Sequence, residues 1–300
     1  IWMRKSAPGW KIGCAKPSNS FLPVMEMEKT MQIIHSPEAL HFVCAEWRRQ
    51  GLKTALVPTM GDYHAGHASM ISYARSDKVI VSLFVNPTQF GPNEDLEAYP
   101  RDFEKDSALV RELGGDVLYA PEPENMYAPD HATWVEVPAF ANTLCGLSRP
   151  IHFRGVCTVV LKLFMLAQPS LAVFGEKDWQ QLAIIKKMVS DLNVPVEVVG
   201  RPIVREADGL ALSSRNVYLT PEERAQAPQI RKSLEMAAGL AAGGERDAAR
   251  IIEAVRGYLA AHLPTGQEDY ISIVDPAALT KVDRIKNMAL CALAIRLGKA

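Results

Sequence analysis

Two histidines with a glycine between them, His64, Gly66 and His67, form the most distinctive chemical pattern in the sequence. They follow a short apolar run, 54–57, and precede a segment with helical spacing, so they lie where a strand would pass into a helix. Glycine permits a close backbone approach, and a helix N-terminus offers free N–H groups to phosphate. Two imidazoles there could stabilise charge on phosphate oxygens. The pattern predicts a phosphate-transfer site rather than a zinc site, because no further His/Cys ligand pattern accompanies it.

Two neutral polar residues, Asn86 and Gln89, follow the next apolar run, 78–85. Their amides offer both donors and acceptors, which suits a hydroxyl-bearing carboxylic acid bound where a parallel sheet opens. Asn86-Pro87 is also an ordinary turn former, and the residues alone leave these two interpretations open.

A third cluster spans Gly175 to Gln181, again between a strand-like run and a helical one. Gly175 permits close backbone approach, and Lys177 supplies a point charge for phosphate. Gln181, one turn into the helix, can face the same site. The alternative is that Asp178 caps the helix and Lys177 lies on the surface.

A fourth cluster, Ser213-Ser214-Arg215, follows a glycine-containing loop. Arginine contacts phosphate oxygens in a bidentate manner, and serine hydroxyls add donors. The segment therefore resembles a mobile phosphate clamp, with a capped, solvated turn as the alternative interpretation.

Net charge, apolar runs, cysteine spacing and missing motifs exclude several classes of protein. The chain of 300 residues has a formal net charge of -1, which argues against a nucleic-acid-binding protein. No apolar run reaches the roughly 18 residues of a membrane span. The five cysteines are widely spaced without C-x-x-C, which predicts free thiols in a cytoplasmic protein. The P-loop, dinucleotide-binding and G-x-S-x-G fingerprints are absent from the sequence.

Apolar and amphipathic segments alternate along the first two thirds of the chain. Continuous apolar runs predict buried parallel strands at 54–57, 78–85, 116–120, 171–174 and 196–204. Helical spacing predicts helices at 37–50, 67–75, 103–113, 156–167 and 179–192. This alternation indicates an α/β fold, a Rossmann-like doubly wound parallel sheet with ligands at the carboxyl ends of its strands.

The pattern changes after residue 204. Thr220 is a predicted N-cap, alanine-rich helices follow to about residue 262 with a break at Gly243-Gly244, and strand-like runs cover 270–274 and 289–296. We therefore predict a Rossmann-like ligand-binding domain over 29–203 and a smaller C-terminal α+β lid domain over 204–300. Residues 1–28 are predicted to be a poorly ordered extension without a secretory signal.

Six motifs in one order closely resemble the pantothenate synthetases, from about residue 31 to residue 299. They are PTMG-x-x-H-x-G-H (58–67), FVNPTQF (84–90), YPRDFEKD (99–106), SRPIHFRGV (148–156), FGEKDWQQL (174–182) and VREADGLALSSRNVYL (204–219). The resemblance implies an ATP-dependent ligase of the HxGH nucleotidyltransferase superfamily that condenses pantoate with β-alanine through a pantoyl-adenylate. It also implies magnesium and a cytoplasmic homodimer.

The resemblance further implies a role for individual residues. His64, His67, Lys177 and Arg215 would be catalytic. ATP would contact Met60, Gly61, His64, Gly66, His67, Gly175, Glu176, Lys177, Asp178, Val204, Leu212, Ser213, Ser214 and Arg215. Gln89, Gln181, Asn86 and Tyr99 would bind pantoate or β-alanine, and Asp106 is a candidate magnesium contact.

Two departures from the family pattern lie near the predicted nucleotide site. Asp62 stands where a small or aliphatic residue is usual, and Lys105 where an acid is often found. Asp62 adds negative charge that would weaken nucleotide affinity, and Lys105 weakens the magnesium assignment. The alternatives are a nucleotidyltransferase that needs no amine, a non-catalytic binding protein on this fold, and, remotely, a tRNA aminoacylation enzyme.

Overall fold

A parallel sheet of six strands organises the first two thirds of the chain. The computed structural model describes residues 30–92 and 94–298, so the extension predicted over 1–28 lies outside the described residues. The strands are β1 (Gln32–Ile34), β2 (Thr54–Thr59), β3 (Lys78–Leu83), β4 (Val117–Tyr119), β5 (Leu171–Gly175) and β6 (Glu197–Arg201). They pair in the order β1-β4-β3-β2-β5-β6, all parallel. The predicted fold class is confirmed.

The strands are apolar on both faces because both faces are covered. Successive residues of β2 point to opposite sides, so Leu56 packs in one hydrophobic cluster, and Ala55 and Val57 in another. All three are fully buried. A continuous apolar run thus builds the centre of the sheet, as the sequence pattern predicts.

The strand order reverses between β2 and β5. Crossovers from β2 run to one side through β3 and β4, whereas β5 and β6 lie on the other side. At such a reversal the loops that follow the two central strands diverge and leave a crevice at their carboxyl ends. The residues after Thr59 and after Gly175 therefore face one another across that crevice.

Eleven α-helices are found in the described residues. They are α1 (Pro37–Arg49), α2 (Ala65–Tyr73), α3 (Phe103–Glu112), α4 (Pro123–Met126), α5 (Pro138–Ala141), α6 (Cys145–Ser148), α7 (His152–Ala167), α8 (Trp179–Asp191), α9 (Pro221–Gln226), α10 (Gln229–Ala242) and α11 (Ala248–His262). Ser36 caps α1 as predicted, since its side chain accepts from the Ala39 N–H at 3.1 Å. Thr220 caps α9 in a capping box with Glu223. No helix in the described ranges has the length and apolar character to cross a bilayer.

The C-terminal part is α+β, as predicted. Helices α10 and α11 pack with the antiparallel pair β7 (Gly266–Val274) and β8 (Leu290–Leu297) around a separate hydrophobic cluster. The indole Nε1 of Trp179 donates to the carbonyl of Pro276 at 2.8 Å, which ties α8 to this part. The division between residues 203 and 204 stays a prediction.

Some sequence-based elements differ from the observed ones at their ends, and the short helices α4, α5 and α6 were not predicted. The last strand of the sheet is shorter than predicted and ends at Arg201, before Pro202, which has no N–H to donate. Helix α7 begins at His152, four residues before the predicted start. Strand β1 was missed because three residues, paired only with β4, carry no readable period.

The described cysteines fit the prediction of free thiols. Cys44 and Cys157 are buried, and Cys145 and Cys291 are partly buried, all without disulfide bonds. Cys14 lies outside the described residues. Burial raises the pKa of the Cys44 and Cys157 thiols, which makes them poor nucleophiles.

Helix α7 touches the turn after β3 through a residue without a side chain. A Cβ at Gly155 would lie 2.5 Å from the carbonyl oxygen of Thr88 and 2.6 Å from the Gln89 nitrogen. The Gly155 carbonyl also accepts from the Asn86 side-chain amide at 3.2 Å. Gly155 therefore fixes how closely the Asn86–Gln89 turn sits on the helix.

Gly155→Ala is expected to destabilise the protein, because backbone atoms cannot yield to the added methyl group. Overpacking of this kind costs about 1–3 kcal/mol. Urea unfolding measures it, with Gly257→Ala in α11 as the matched control, since nothing lies within 4 Å of a Cβ there. The control should gain about 0.5–1 kcal/mol of stability from helix propensity. Equal midpoints for both variants would contradict the close approach.

Candidate active site

One cavity of about 250 Å³ lies in the crevice and collects most of the predicted site residues. Its wall includes residues that follow β2, β3 and β5, together with the segment after β6. From the predicted set it contains Met60, His64, Gly66, His67, Asn86, Gln89, Tyr99, Gly175, Lys177, Asp178, Gln181, Val204, Leu212, Ser213, Ser214 and Arg215. Four segments distant in sequence thus converge on one site.

The two histidines are oriented by backbone N–H groups at the start of α2. Nδ1 of His64 accepts from the Gly66 N–H at 3.1 Å, and Nδ1 of His67 accepts from the His64 N–H at 3.4 Å. A neutral ring that accepts at Nδ1 carries its proton on Nε2, so each ring can still donate one hydrogen bond. Gly66 allows this arrangement, since a Cβ there would lie 2.9 Å from Nδ1 of His64.

Burial and neighbouring charge keep both rings neutral. Burial, with His64 and Lys177 nearby, lowers the pKa of His67 to about 3. Burial and Lys177 also lower the pKa of His64. The ring centroids are 4.2 Å apart, so a proton on one imidazole would disfavour a proton on the other. Without a ligand the pair can act as neutral Nε2–H donors rather than as imidazolium ions.

The amides after β3 form a fixed network. The phenol of Tyr127 donates to Oδ1 of Asn86 at 2.9 Å, and the Thr88 hydroxyl donates to the same oxygen at 2.9 Å. With Oδ1 fixed as the acceptor, Nδ2 of Asn86 donates to Oε1 of Gln89 at 3.0 Å. Nε2 of Gln89 then points to the sulfur of Met60 at 3.2 Å. A weak sulfur acceptor is easily exchanged for a ligand oxygen, so Gln89 offers a donor to the cavity.

The residues after β5 bring a cation to the opposite wall. Lys177 and Asp178 are exposed, with Nζ and Oδ1 3.9 Å apart. Asp178 precedes α8 but makes no side-chain cap hydrogen bond. Gln181 lines the cavity one turn into the helix. The alternative that Asp178 serves as a capping residue has no hydrogen bond to support it.

The segment after β6 closes one side of the cavity. The Ser214 hydroxyl donates to the carbonyl of Asp62 at 3.2 Å, and the Tyr218 phenol donates to the carbonyl of Ala98 at 2.8 Å. Arg215 lies over the Tyr99 ring, 5.5 Å from its centroid. The serine and arginine cluster is therefore held against the loops that follow β2 and β3.

Three predicted ligand contacts lie outside the cavity wall: Gly61, Glu176 and Asp106. Gly61 forms a turn with positive φ, +101°, and a Cβ there would lie 2.8 Å from Leu83. The Glu176 side chain lies beside Gly200 in β6, 2.9 Å from where a Cβ would be. Both carboxylate oxygens of Asp106 accept backbone N–H groups. Gly61 and Asp106 shape the turn before α2, and the predicted ATP contacts of Gly61 and Glu176 and the magnesium contact of Asp106 stay predictions.

The family model for pantoate-β-alanine ligase matches residues 32–300. The chain belongs to the pantoate-β-alanine ligase family. A pantothenate synthetase of Nitratidesulfovibrio vulgaris strain Miyazaki F is 64% identical over 272 residues, which cover 90% of this chain and 96% of the relative.

Solved structures agree with this assignment. Pantothenate synthetase from Thermus thermophilus is 44% identical with a TM-score of 0.85, covering 90% of this chain and 96% of that one. Pantoate-β-alanine ligase from Francisella tularensis, complexed with β,γ ATP and β-alanine, is 32% identical with a TM-score of 0.73, covering 90% and 95%. The predicted family, fold class and activity as a pantoate-β-alanine ligase are confirmed.

The two departures from the pantoate-β-alanine ligase pattern pair with each other. Nζ of Lys105 lies 3.4 Å from Oδ1 of Asp62. Asp62 also adopts a left-handed φ of +50°, which asparagine and aspartate tolerate better than most residues. The negative charge of Asp62 near the predicted nucleotide site is therefore partly offset by the cation of Lys105 in α3.

The sequence analysis missed several cavity residues, among them Ser82, Arg149 and His152. The last two lie in the quoted motif 148–156, whose spacing alone suggests no role. Nδ1 of His152 donates to the Gln89 carbonyl at 2.9 Å, which fixes the same turn as Gly155. The buried Ser82 hydroxyl, in β3, has no hydrogen-bond partner within the described residues.

His152 should make the protein less stable in acid. Burial and the charge of Arg149 lower its pKa from 6.5 to about 4. Between these two pH values the unfolded chain binds a proton that the folded chain does not, so stability is lost as pH falls from 6.5 towards 4. In His152→Asn the free energy of unfolding should depend less steeply on pH than in wild type, and the two slopes should differ by about 1 kcal/mol per pH unit.

Urea unfolding at pH 5, 6 and 7 measures this slope. Asparagine keeps a donor near the Nδ1 position, so the variant retains the bond to the Gln89 carbonyl. His41→Asn, on the exposed face of α1, is the matched control. The same slope in wild type and His152→Asn would show that the buried ring does not titrate as described.

Proposed function

We propose that this cavity joins pantoate to β-alanine in two steps, with ATP as the energy source. In the first step a carboxylate oxygen of pantoate attacks the α-phosphorus of ATP, and pyrophosphate leaves. In the second step the β-alanine amine attacks the acyl carbon of the adenylate, a proton is released, and AMP leaves. The observation that carries the proposal is the convergence of His64, His67, Gln89, Lys177 and Arg215 on one cavity.

Geometry supports a division of the cavity into two regions. The helix N-terminus at His64–His67 and the cation of Lys177 provide donors and positive charge where a triphosphate would lie. The Asn86–Gln89 amides, with Gln181, provide the neutral donors and acceptors that a hydroxy acid needs. Apolar Val156, Val159 and Leu163 of α7 complete the wall and limit access of water to a reactive adenylate.

The imidazoles would act mainly as hydrogen-bond donors. A neutral His67 with its proton on Nε2 can stabilise charge on the α-phosphate without transferring that proton. A polyanionic nucleotide would raise the lowered pKa of His67, because nearby negative charge favours the imidazolium. Donor strength in the site would therefore rise when ATP binds.

Magnesium would enter as part of the nucleotide substrate. No group of three or more His, Cys, Asp or Glu side chains in the described ranges could hold a metal ion. Magnesium commonly binds through substrate phosphates and only one or two carboxylates, so a dedicated cluster is not required. Asp178 is the carboxylate on the cavity wall that fits such a contact.

A cytoplasmic homodimer, with the part after residue 203 acting as a lid domain, remains a proposal drawn from the resemblance. Sedimentation velocity at micromolar concentration would test the assembly. A monomer would contradict the dimer without touching the proposed chemistry.

Pantoate-dependent exchange of labelled pyrophosphate into ATP tests the first step. The protein should catalyse exchange with pantoate and without β-alanine, and release of AMP should require both substrates. If the protein catalyses exchange and also forms its final product without an amine, the nucleotidyltransferase alternative is favoured. Nucleotide binding without exchange would favour the non-catalytic alternative.

Lys177→Ala should lower the exchange rate by roughly 100-fold or more, because a donor to the transition state is lost. Lys187→Ala is the matched control, since Lys187 lies in the next helix, α8, and pairs with Asp191 on the surface. Equal rates for the two variants would remove Lys177 from the mechanism.

Gln89→Ala should raise the KM for pantoate by about tenfold while the KM for ATP changes little, since one hydrogen bond to the acid is lost. Initial-rate kinetics with each substrate varied measures the split. Gln50→Ala, at the exposed end of α1, is the control. An unchanged pantoate KM would assign the Asn86–Gln89 network to the fold alone.

A further inference from the structure

Two adjacent acids after β3, Glu94 and Asp95, each hold one arginine from a different part of the chain. Asp95 accepts from Nε of Arg215 at 3.0 Å and from Nη2 at 2.8 Å. Glu94 accepts from Nε of Arg149 at 3.1 Å and also from its Nη2. Both are fork-to-fork pairs, which fix the plane of a guanidinium as well as its position.

The arginines line the cavity, whereas the acids do not. Arg149 and Arg215 both belong to the cavity wall, and Glu94 and Asp95 do not. The carboxylates therefore do not occupy the space of a ligand. They bind each guanidinium through Nε and Nη2.

The pairing at Arg215 leaves part of its fork available. The two bonds to Asp95 use Nε and Nη2, and Nη1 has no hydrogen-bond partner within residues 30–92 and 94–298. Tyr99 lies beneath the guanidinium, 5.5 Å from ring centroid to Cζ. A long side chain that is held on one edge and one face loses less freedom when a phosphate takes the remaining edge.

The charges agree with a permanent pair. Burial opposes ionisation of Asp95, but the hydrogen bonds and charge of Arg215 outweigh it and hold the pKa of Asp95 below its usual value. Both side chains are partly buried, at 34% exposed for Arg215 and 20% for Asp95, so solvent weakens the pair less than it would on the surface.

We propose that Asp95 is a positioning residue that presents Arg215 to the nucleotide phosphates. Glu94 acts in the same way on Arg149, at the part of the cavity next to His152. The inference rests on the proposed function, because it assigns a nucleotide to the side of the cavity that Arg215 lines. It adds two residues that touch no substrate.

If the same pair competed with the ligand instead, removal of Asp95 would change nucleotide affinity in the opposite direction. If Asp95 competed with phosphate for Arg215, its removal would free the cation and strengthen nucleotide binding. Asp95 is not part of the cavity wall and binds only Nε and Nη2, which favours positioning, in which case its removal weakens nucleotide binding.

Asp95→Asn tests the proposal through calorimetric titration with the magnesium complex of a non-hydrolysable ATP analogue, without pantoate. Asparagine keeps the shape but has no charge, and its single acceptor oxygen cannot replace the two oxygens that accept from Nε and Nη2. The dissociation constant should rise about tenfold. Asp95→Glu, which restores the carboxylate, should recover part of the loss.

Glu268→Gln is the matched control. Glu268 accepts from Nε and Nη2 of Arg256, each at 2.8 Å, in the same fork geometry but outside the cavity. This variant should bind the analogue within about twofold of wild type. Thermal unfolding of both variants separates a loss of stability from a loss of binding.

A double-mutant cycle identifies the route of the effect. In an Arg215→Gln background, Asp95→Asn should have no further effect on the dissociation constant, because the group on which it acts is gone. The same tenfold loss in that background would overturn the proposal. So would an unchanged or tighter dissociation constant for Asp95→Asn in the wild-type background.

Failure of the proposed function gives a different result. A protein that binds the analogue and loses affinity in Asp95→Asn, but shows no pantoate-dependent exchange, would keep the positioning role and lose the ligase mechanism. A protein that exchanges normally while Asp95→Asn binds like wild type would keep the mechanism and lose the positioning role. Absence of any nucleotide binding by wild type would overturn both.

Discussion

The carboxylate of Asp106 fixes the turn on which the candidate site depends. It is 1% exposed and accepts from the backbone N–H groups of Asp62 and Tyr63, each at 2.8 Å. Burial raises the pKa of Asp106, yet both oxygens are satisfied, so the carboxylate holds a turn with two positive φ angles that would otherwise be strained. His64 follows that turn directly as the N-cap of α2. A side chain from α3, which follows the next strand of the chain, thus fixes the turn that orients both imidazoles.

The other polar groups of the cavity meet at the same edge of the sheet, where the parallel strands end. Parallel strands end on one side, and the reversal between β2 and β5 opens the crevice between their loops. The Asn86–Gln89 turn reaches the crevice because Gly155 lets α7 approach its backbone. Lys177 reaches it from β5. The histidines and the Asn86–Gln89 amides are thus carried by short loops on rigid elements, and contacts with the backbone help to define their positions.

Much of this could be predicted from the sequence, for identifiable reasons. Buried parallel strands such as β2 are continuous in apolar residues, and caps such as Ser36 have a local signature. The polar clusters were found because they follow such strands. Strand β1 and the start of α7 were not found, since the first is three residues long and pairs with the distant β4, and the second is stabilised by contacts of His152 with a distant turn. Local periodicity cannot report an interaction that joins residues far apart in sequence.

The pairing of cavity cations with acids bears on turnover as well as on binding. An enzyme that makes pyrophosphate must also release it, and cations without partners would hold a polyanion tightly. The charges of Arg149 and Arg215 are already balanced by Glu94 and Asp95, so in the proposed mechanism they would contribute direction and hydrogen bonds more than net attraction. Lys177, exposed and only loosely associated with Asp178, is a cavity cation that would remain free to attract the phosphates. The cavity would therefore divide two tasks between two kinds of side chain: an exposed ammonium for charge and fixed guanidinium planes for geometry.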